Sequence, residues 1–369
     1  LLGRRPNLLT DNPDARLLEL SGPVLSPADF QNLNSLDPVK FPSIVLRAVW
    51  PVNTGAQALE ATLADLCRQA EEAVRQGAVL LVVYDGDVSP FRAPVPSLLL
   101  TSALHHHLLK AGLRLDASLV VASGEPREVH HFACLLGYGA DAVYPYLAFE
   151  SIGELVQGGG KGMPTLAEAQ QNFVEALERG LYKVMAKMGI ALLSSYRGAQ
   201  VFEALGLSRE LIKRYFPHTD SLLGGVGLNE LAASQAKWHQ VAFQGEVSGD
   251  LARQASYGFY KFKRDGEAHR FHPELVKALH RSVAEGEKLL RERTEESPFA
   301  VLPEGPPLFA DYLRLAAALP PVGVRDLLDF VRHRPPVPLA EVEAAESIVA
   351  RFSTGAMSHG SLSSEAHRT

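Results

Sequence analysis

Two histidine runs, one acidic pair and several glycine-rich stretches are the residues in this chain whose types could do chemistry. His105-His106-His107 would make a metal site if the three imidazoles converged. Adjacent residues on a helix point about 100° apart, and helical metal pairs need i, i+3 or i+4 spacing. Three in a row therefore read better as a polar helix face. His130-His131 meets the same objection, although one histidine from each run could meet its counterpart across neighbouring helices. No metal ligand and no catalytic residue is assigned on this basis.

Asp85-Gly86-Asp87 follows an apolar run that ends at Tyr84. In βα folds, ligand sites gather where strands end, and paired carboxylates there can exchange protons. Asp-Gly is also ordinary turn chemistry, and the turn is the favoured reading. Gly158-Gly-Gly-Lys-Gly162 lacks the GK[ST] ending of a phosphate loop and reads as an exposed loop. Gly224-Gly-Val-Gly227 precedes a helix, so its N–H groups could approach an anion. A tight turn explains it equally well. Gly355-Ala-Met-Ser358, followed by Gly360-Ser-Leu-Ser363, sets small residues at a strand end, where a flat ring system could come close to the backbone.

The elements that would position these residues fall in a clear order. A helix start at Ser26-Pro-Ala-Asp29 closes a loop-rich opening, 1–42, punctuated by Asn12-Pro13 and Gly22-Pro23. Strands are expected at 44–49, 79–84, 119–122 and 140–144, alternating with helices at 55–76, 97–110 and 125–136. In the first helix Leu59, Leu63, Leu66, Ala70, Ala73 and Val74 recur at helical spacing. Short strands alternating with helices mean parallel βα units. Beyond Tyr144 the pattern turns helical, with helices expected at 166–188, 198–205, 208–215, 228–243, 272–294, 311–319, 323–332 and 341–351. A further strand is possible at 190–194. The fold class is therefore α/β: parallel βα units forming an open or incomplete barrel-like central domain, with a helical second half. Pro335-Pro-Val-Pro338 is a stiff linker. It divides a central domain, 43–334, from a final segment, 335–369, in which 352–358 could begin a new sheet.

Composition narrows the function classes. The chain has 369 residues, 46% hydrophobic and 21% charged, with a net charge of -6. No basic block marks a nucleic-acid or anionic-membrane surface. No apolar run reaches the roughly 18 residues of a membrane span, and the first residues lack the order of a signal peptide. Cys67 and Cys134 each sit in an apolar helical pattern, as reduced thiols of a cytoplasmic protein do. Two cysteines are too few for an iron–sulfur cluster, which takes three or four thiolates. Both ends look abrupt, as boundaries inside a longer chain would.

Several stretches carry a family resemblance. Glu346-Ser-Ile-Val-Ala-Arg-Phe-Ser-Thr-Gly-Ala-Met-Ser-His-Gly-Ser-Leu-Ser-Ser-Glu-Ala-His367 resembles the opening of the flavin domain of glutamate synthases. Upstream, Gly124-Glu-Pro-Arg-Glu-Val-His-His131, Leu136-Gly-Tyr-Gly-Ala-Asp-Ala-Val143 and Pro145-Tyr-Leu-Ala-Phe-Glu150 resemble the central domain of that family. So do Lys183-Val-Met-Ala-Lys-Met-Gly-Ile190, Ser195-Tyr-Arg-Gly-Ala-Gln-Val-Phe-Glu-Ala-Leu-Gly206 and Tyr260-Lys-Phe-Lys-Arg-Asp-Gly-Glu-Ala-His269. The order is collinear over nearly the whole chain.

The resemblance implies a large subunit of four parts: a glutaminase domain, this connecting domain, a (β/α)8 flavin domain and a β-helical domain. Ammonia from glutamine would travel through a tunnel to 2-oxoglutarate, and reduced FMN would deliver hydride to the imine, giving L-glutamate. An iron–sulfur cluster would feed electrons to FMN, supplied by NADPH through a small subunit or by ferredoxin. The resemblance places Ala356, Met357 and Ser358 against FMN; His359 stands where the family usually has an aromatic. The segment as a whole would be non-catalytic scaffold, domain interface and part of the tunnel wall, with Ser195-Tyr196-Arg197 a candidate for that wall or a structural corner. The alternatives are a stand-alone protein of a split gene that binds separate glutaminase and synthase chains, and an independent metalloenzyme using the histidines.

Overall fold

The structure is a computed structural model that describes residues 1–6, 15–159, 162–244, 258–292 and 307–353. It comprises two compact units, Leu1–Val247 and Ser248–Thr369. The first is built on a four-stranded parallel sheet of β3 (Ser43–Arg47), β5 (Leu80–Tyr84), β7 (Ser118–Ala122) and β8 (Ala142–Tyr144), in the order β3-β5-β7-β8. Strand order follows chain order. The crossovers are α2 (Ala56–Arg75), α3 (Ser97–Lys110) and α4 (Val129–Gly137). Right-handed crossovers between successive neighbours put every helix on one face.

The side-chain alternation confirms this layering. Leu81, Val83, Leu119, Val121 and Val143 join the cluster that contains α2, α3 and α4. Leu80, Val82, Val120, Ala122 and Ala142 face the other way. There they meet Leu2 of β1 (Leu2–Arg4), Leu25, and Phe30 and Leu33 of α1 (Pro27–Asn34). The opening segment thus covers the second face, which is why the strands read as continuous apolar runs. The same segment extends the β8 edge: Val143 N–H donates to the Pro23 carbonyl at 2.8 Å, and Leu25 N–H to the Val143 carbonyl at 2.9 Å. The sheet is open, as the sequence implies.

Local chemistry sets the element ends. Ser26 and Asp29 form a reciprocal capping box with Pro27 in the first turn of α1. α2 buries the six predicted positions and Cys67 as well, and stops before Gly77 at φ 99°. Its solvent face carries Arg68–Asp65 and Arg75–Glu71 pairs one turn apart. α4 starts at Val129, later than expected, after Pro126 and with Glu128 as its N-cap. Val49, expected at the end of the first strand, instead begins β4 (Val49–Pro51), which pairs antiparallel with β6 (Arg92–Pro94).

The second half of the first unit is mainly helical: α5 (Tyr146–Gly158), α6 (Leu166–Lys187), α8 (Arg209–Tyr215) and α9 (Leu228–Gln244). α5 is unforeseen, and it carries the chain through Gly158 in the stretch expected to be loop. Two further expectations are overturned. The possible strand at 190–194 is replaced by one short helix, α7 (Leu193–Tyr196). The helix expected at 198–205 is replaced by β9 (Glu203–Leu207), parallel to β10 (Asp220–Val226). Gly198 at φ 70° and Gln200 at φ 57° break the helical path before it can start. The glycine run at 224–227 serves this strand pair, because a Cβ on Gly225 would lie 2.1 Å from the Gly206 carbonyl oxygen.

The second unit contains α10 (Pro273–Glu292), α11 (Pro307–Ala317) and α12 (Ala345–Val349). The helix expected at 323–332 contracts to one 3-10 turn, Val324–Leu327, and that at 341–351 to the turn Leu339–Glu341 and α12. Most of the strand expected at 352–358 lies outside the described residues. No helix among the described residues is long and apolar enough to cross a membrane.

Leu81 is fully buried at the centre of the sheet. Leu81→Ala should cost about 2–5 kcal/mol, read as a lower urea midpoint with an unchanged slope.

Candidate functional site

The loops at the C-terminal ends of the strands converge on one carboxylate. Asp85 follows β5, Ser123 and Gly124 follow β7, and Tyr146 lies two residues beyond β8. Ser123 Oγ donates to Asp85 Oδ2 at 2.5 Å, and the Gly124 N–H and Tyr146 hydroxyl donate to Oδ1 at 3.1 and 2.9 Å. Gly86 has no room for a side chain, since a Cβ would lie 2.2 Å from the Tyr84 hydroxyl. Asp85 is 2% exposed. Burial raises its carboxyl above the usual range, against the pull of its three donors. Burial, and then the Asp85 charge, push the Tyr146 phenol up, so its proton stays on the donor. Asp85-Gly86-Asp87 lies in an irregular loop and not in the turn favoured from sequence, and Asp85 clamps three loops. Asp87 is separate and pairs with Arg47 at 2.7 Å near the surface.

Glu125, in the same loop as Gly124, accepts from the Ser97 N–H at 2.8 Å and the Ser97 hydroxyl at 2.6 Å. It supplies the anion that the N-terminus of α3 favours. Its other oxygen accepts from Gln235 of α9 at 3.3 Å.

A second network lies at the opposite ends of β7 and β8. Arg114 donates to His105 Nδ1 (3.0 Å), to the Ala117 and Gly139 carbonyls (2.7 Å each) and to Asp141 Oδ2 (2.8 Å). Asp141 Oδ2 also accepts the Leu119 N–H at 2.8 Å, and Oδ1 accepts from Arg197. Burial by itself would raise the Asp141 carboxyl; the two arginine charges outweigh it and hold the carboxyl below the usual range. Burial, then the Arg114 charge, depress His105 to about 3, so its ring is neutral. Ser195-Tyr196-Arg197 is thus a structural corner, with Tyr196 buried and Arg197 committed to Asp141.

The histidine runs scatter as their spacing demands. His106 Nδ1 lies 2.9 Å from the Ser102 carbonyl, and His107 Nε2 lies 2.7 Å from Glu71. His131 pairs with Glu128 at 3.3 Å, and His130 Nε2 lies 3.5 Å from Cys134 Sγ. Among the described residues no group of three His, Cys, Asp or Glu side chains could hold a metal ion. Burial pushes the Cys67 and Cys134 thiols up to about 11, away from the thiolate that a metal or cluster requires. The Gly227 N–H, a candidate anion donor, is already taken by Glu230 at 2.8 Å. Ala356, Met357 and Ser358 lie outside the described residues.

Sequence reasoning missed Arg114 and Asp141. The available signal was one charged residue, Asp141, inside the otherwise apolar strand run 140–144. Asp141→Asn should destabilise the first unit by about 3–5 kcal/mol, because it leaves the buried Arg114 and the partly buried Arg197 short of counter-charge. Asp141 has a depressed folded pKa. Its contribution is therefore present above the unfolded value, about 3.9, and is lost as pH falls through the folded value. Asp85 has the reverse sign: relative to Asp85→Asn, the native chain should lose stability as pH rises from about 4 through the raised folded value. Urea unfolding of both variants across pH 3 to 8 checks the two signs.

Comparison with known proteins gives the family. The family model for the glutamate synthase central domain matches residues 1–208, and that for the conserved region in glutamate synthase matches residues 307–369. The NADPH-type glutamate synthase large chain of Bacillus subtilis is 38% identical over 368 residues, 99% of this chain and 22% of that one. A ferredoxin-dependent glutamate synthase of Pyropia yezoensis is 36% identical over 380 residues, 100% of this chain and 23% of that one. Ferredoxin-dependent glutamate synthase 2 of Synechocystis is 37% identical over 382 residues, 100% and 24% respectively. A solved flavocytochrome b2 with pyruvate bound has a TM-score of 0.30 and 15% identity over 47% of this chain and 38% of that one, too slight a likeness to carry an argument. The chain spans about a quarter of the length of the curated relatives it matches, and it belongs to the glutamate synthase family, whose central-domain model covers its first 208 residues.

Proposed function

We propose that this chain is the connecting portion of a glutamate synthase, an enzyme that makes L-glutamate from 2-oxoglutarate and glutamine-derived ammonia by FMN-dependent reductive amination. The observation that carries the reading is the collinear match, at 36–38% identity across the whole chain, to about a quarter of each large chain. In this reading the segment is scaffold, domain interface and part of the ammonia passage. A passage for ammonia needs rigid walls at a domain boundary. The Asp85 clamp on the strand-end loops and the Asp141–arginine network supply that rigidity.

The reading assigns 1–42 to a connecting segment, 43–334 to the central domain, and 335–369 to a linker and the first strand of the flavin domain. Ala356, Met357 and Ser358 would lie along FMN, whose chemistry is hydride delivery to the imine. The iron–sulfur cluster belongs to other parts of the parent chain, because the two cysteines of this segment are too few to ligate one. Partners are the glutaminase and flavin-barrel domains of the same large subunit, with NADPH through a small subunit or ferredoxin as electron source, in the cytoplasm.

The purified 369-residue chain should show neither a flavin absorption band nor glutaminase activity. Expressed beside the glutaminase and flavin-barrel portions of a relative as separate polypeptides, it should co-purify with both. Failure to capture either portion would overturn the scaffold reading. In the full-length parent chain, Met357→Glu should lower the FMN content per chain; unchanged flavin would remove that assignment.

A further inference from the structure

One cleft of the first unit is built differently from its surroundings. His105 and His106 of α3 line an open cavity of about 240 Å³ with Tyr138, Gln200, Phe202 and His218. The hydrogen bonds fix both imidazole tautomers. Arg114 can only donate, so His105 Nδ1 accepts and the ring proton sits on Nε2. The Ser102 carbonyl can only accept, so His106 Nδ1 carries the proton and its Nε2 is a bare lone pair. The two rings meet edge to face, centroids 5.0 Å apart. Neighbouring imidazoles thus offer opposite polarities: one N–H donor and one acceptor.

Among the described residues no lysine or arginine lines the wall. Burial lowers both His105 and His106, which removes these two rings as cationic partners for an anion near neutral pH. No aspartate or glutamate lines the cavity, so a cation would find no counter-charge. Phe202 stacks on Tyr138 at 5.6 Å and makes a flat apolar side, and the Tyr138 hydroxyl is tied to Thr219 at 2.7 Å. Gln200 and His218 hold left-handed backbones, φ 57° and 65°, and are the two non-glycine residues of the first unit described there. Strained conformations of this kind cluster at binding sites. Both fall on this cleft.

We propose that the cleft binds a small neutral molecule through a carboxamide group, whose oxygen accepts from His105 Nε2–H and whose NH2 donates to His106 Nε2, with the Gln200 amide completing the set. The site does not depend on the role proposed for the parent enzyme.

Long-range 1H–15N spectra of the full chain should show His105 as the Nε2–H tautomer and His106 as the Nδ1–H tautomer. The opposite tautomer at either ring overturns the proposal. Titration with acetamide and with L-glutamine, against L-glutamate and ammonium chloride, then tests the ligand class. Saturable shifts of both rings with either amide, and none with the two controls, support it. Saturation by both amides means that the carboxamide suffices; saturation by L-glutamine alone means that the site also reads the amino-acid portion. No saturation by either amide, or an equal response to L-glutamate, overturns it. Gln200→Gly removes the side-chain amide while easing the backbone, so the fold should hold. Binding should weaken about three- to tenfold, the worth of one hydrogen bond. Unchanged affinity in that variant overturns the assignment of this cleft.

Discussion

The first unit depends on one buried carboxylate that must satisfy two guanidinium groups, Arg114 buried and Arg197 partly buried. Asp141 enters the sheet at the start of β8, and its side chain closes onto the N–H of Leu119 in the neighbouring strand. Arg114 approaches from beyond the end of α3, and Arg197 from the corner after α7. One anion therefore sets the spacing of β7, β8 and two connecting segments that are far apart in sequence. Without it the two guanidinium charges would lack a counter-charge, and Asp141 could not stay ionised without them, because desolvation of a lone ion costs several kcal/mol. The apolar layers could slide on one another; this point cannot. Arg114 carries the constraint outward to His105, whose tautomer it fixes; burial, and then the Arg114 charge, keep that ring neutral.

Asp85 plays the complementary part at the other ends of the strands. Its three donors are neutral, so they orient the loops without cancelling the charge, and burial leaves the carboxyl raised. The two aspartates are of one residue type and are buried to a similar degree. They differ in pKa direction because one faces arginines and the other faces hydroxyls and an N–H. The strand-end loops are thereby fixed by side chains, not by closure of the sheet.

The layering was legible in the sequence because it rests on local pattern. The continuous apolar runs at 79–84 and 119–122 announce strands covered on both faces, and Leu59, Leu63 and Leu66 announce the buried stripe of α2. Adjacent histidines take separate polar partners, Arg114 for His105, the Ser102 carbonyl for His106 and Glu71 for His107, although the first two line one cleft. What stayed hidden was set by distant residues or by backbone sign. Nothing near Arg114 predicts that its donors will reach 27 residues onward to Asp141. The segment 198–207 has apolar residues at spacings a helix could use, and the left-handed turn at Gln200 decides otherwise. The glycines at 224–227 allowed an anion approach or a tight turn; the close pass of Gly206 in the paired strand is what requires Gly225. Ala356, Met357 and Ser358 were proposed from family resemblance, not from physical pattern, and lie outside the described residues.

An open sheet with a covered second face needs no closure to bury both sides of its strands. In a closed barrel, inward side chains fill the centre and the sheet holds itself. Here the opening segment does that work: Leu2, Leu25, Phe30 and Leu33 cover the face that closure would have turned inward, and residues 23–25 satisfy the β8 edge. The strands are then free of the geometric demands of closure, so four suffice. The cost falls on the strand ends, where no barrel rim holds the loops in place. Buried aspartates at both ends of the sheet answer that need: Asp85 follows β5 and Asp141 precedes β8, each joining segments that the sheet itself leaves unpaired.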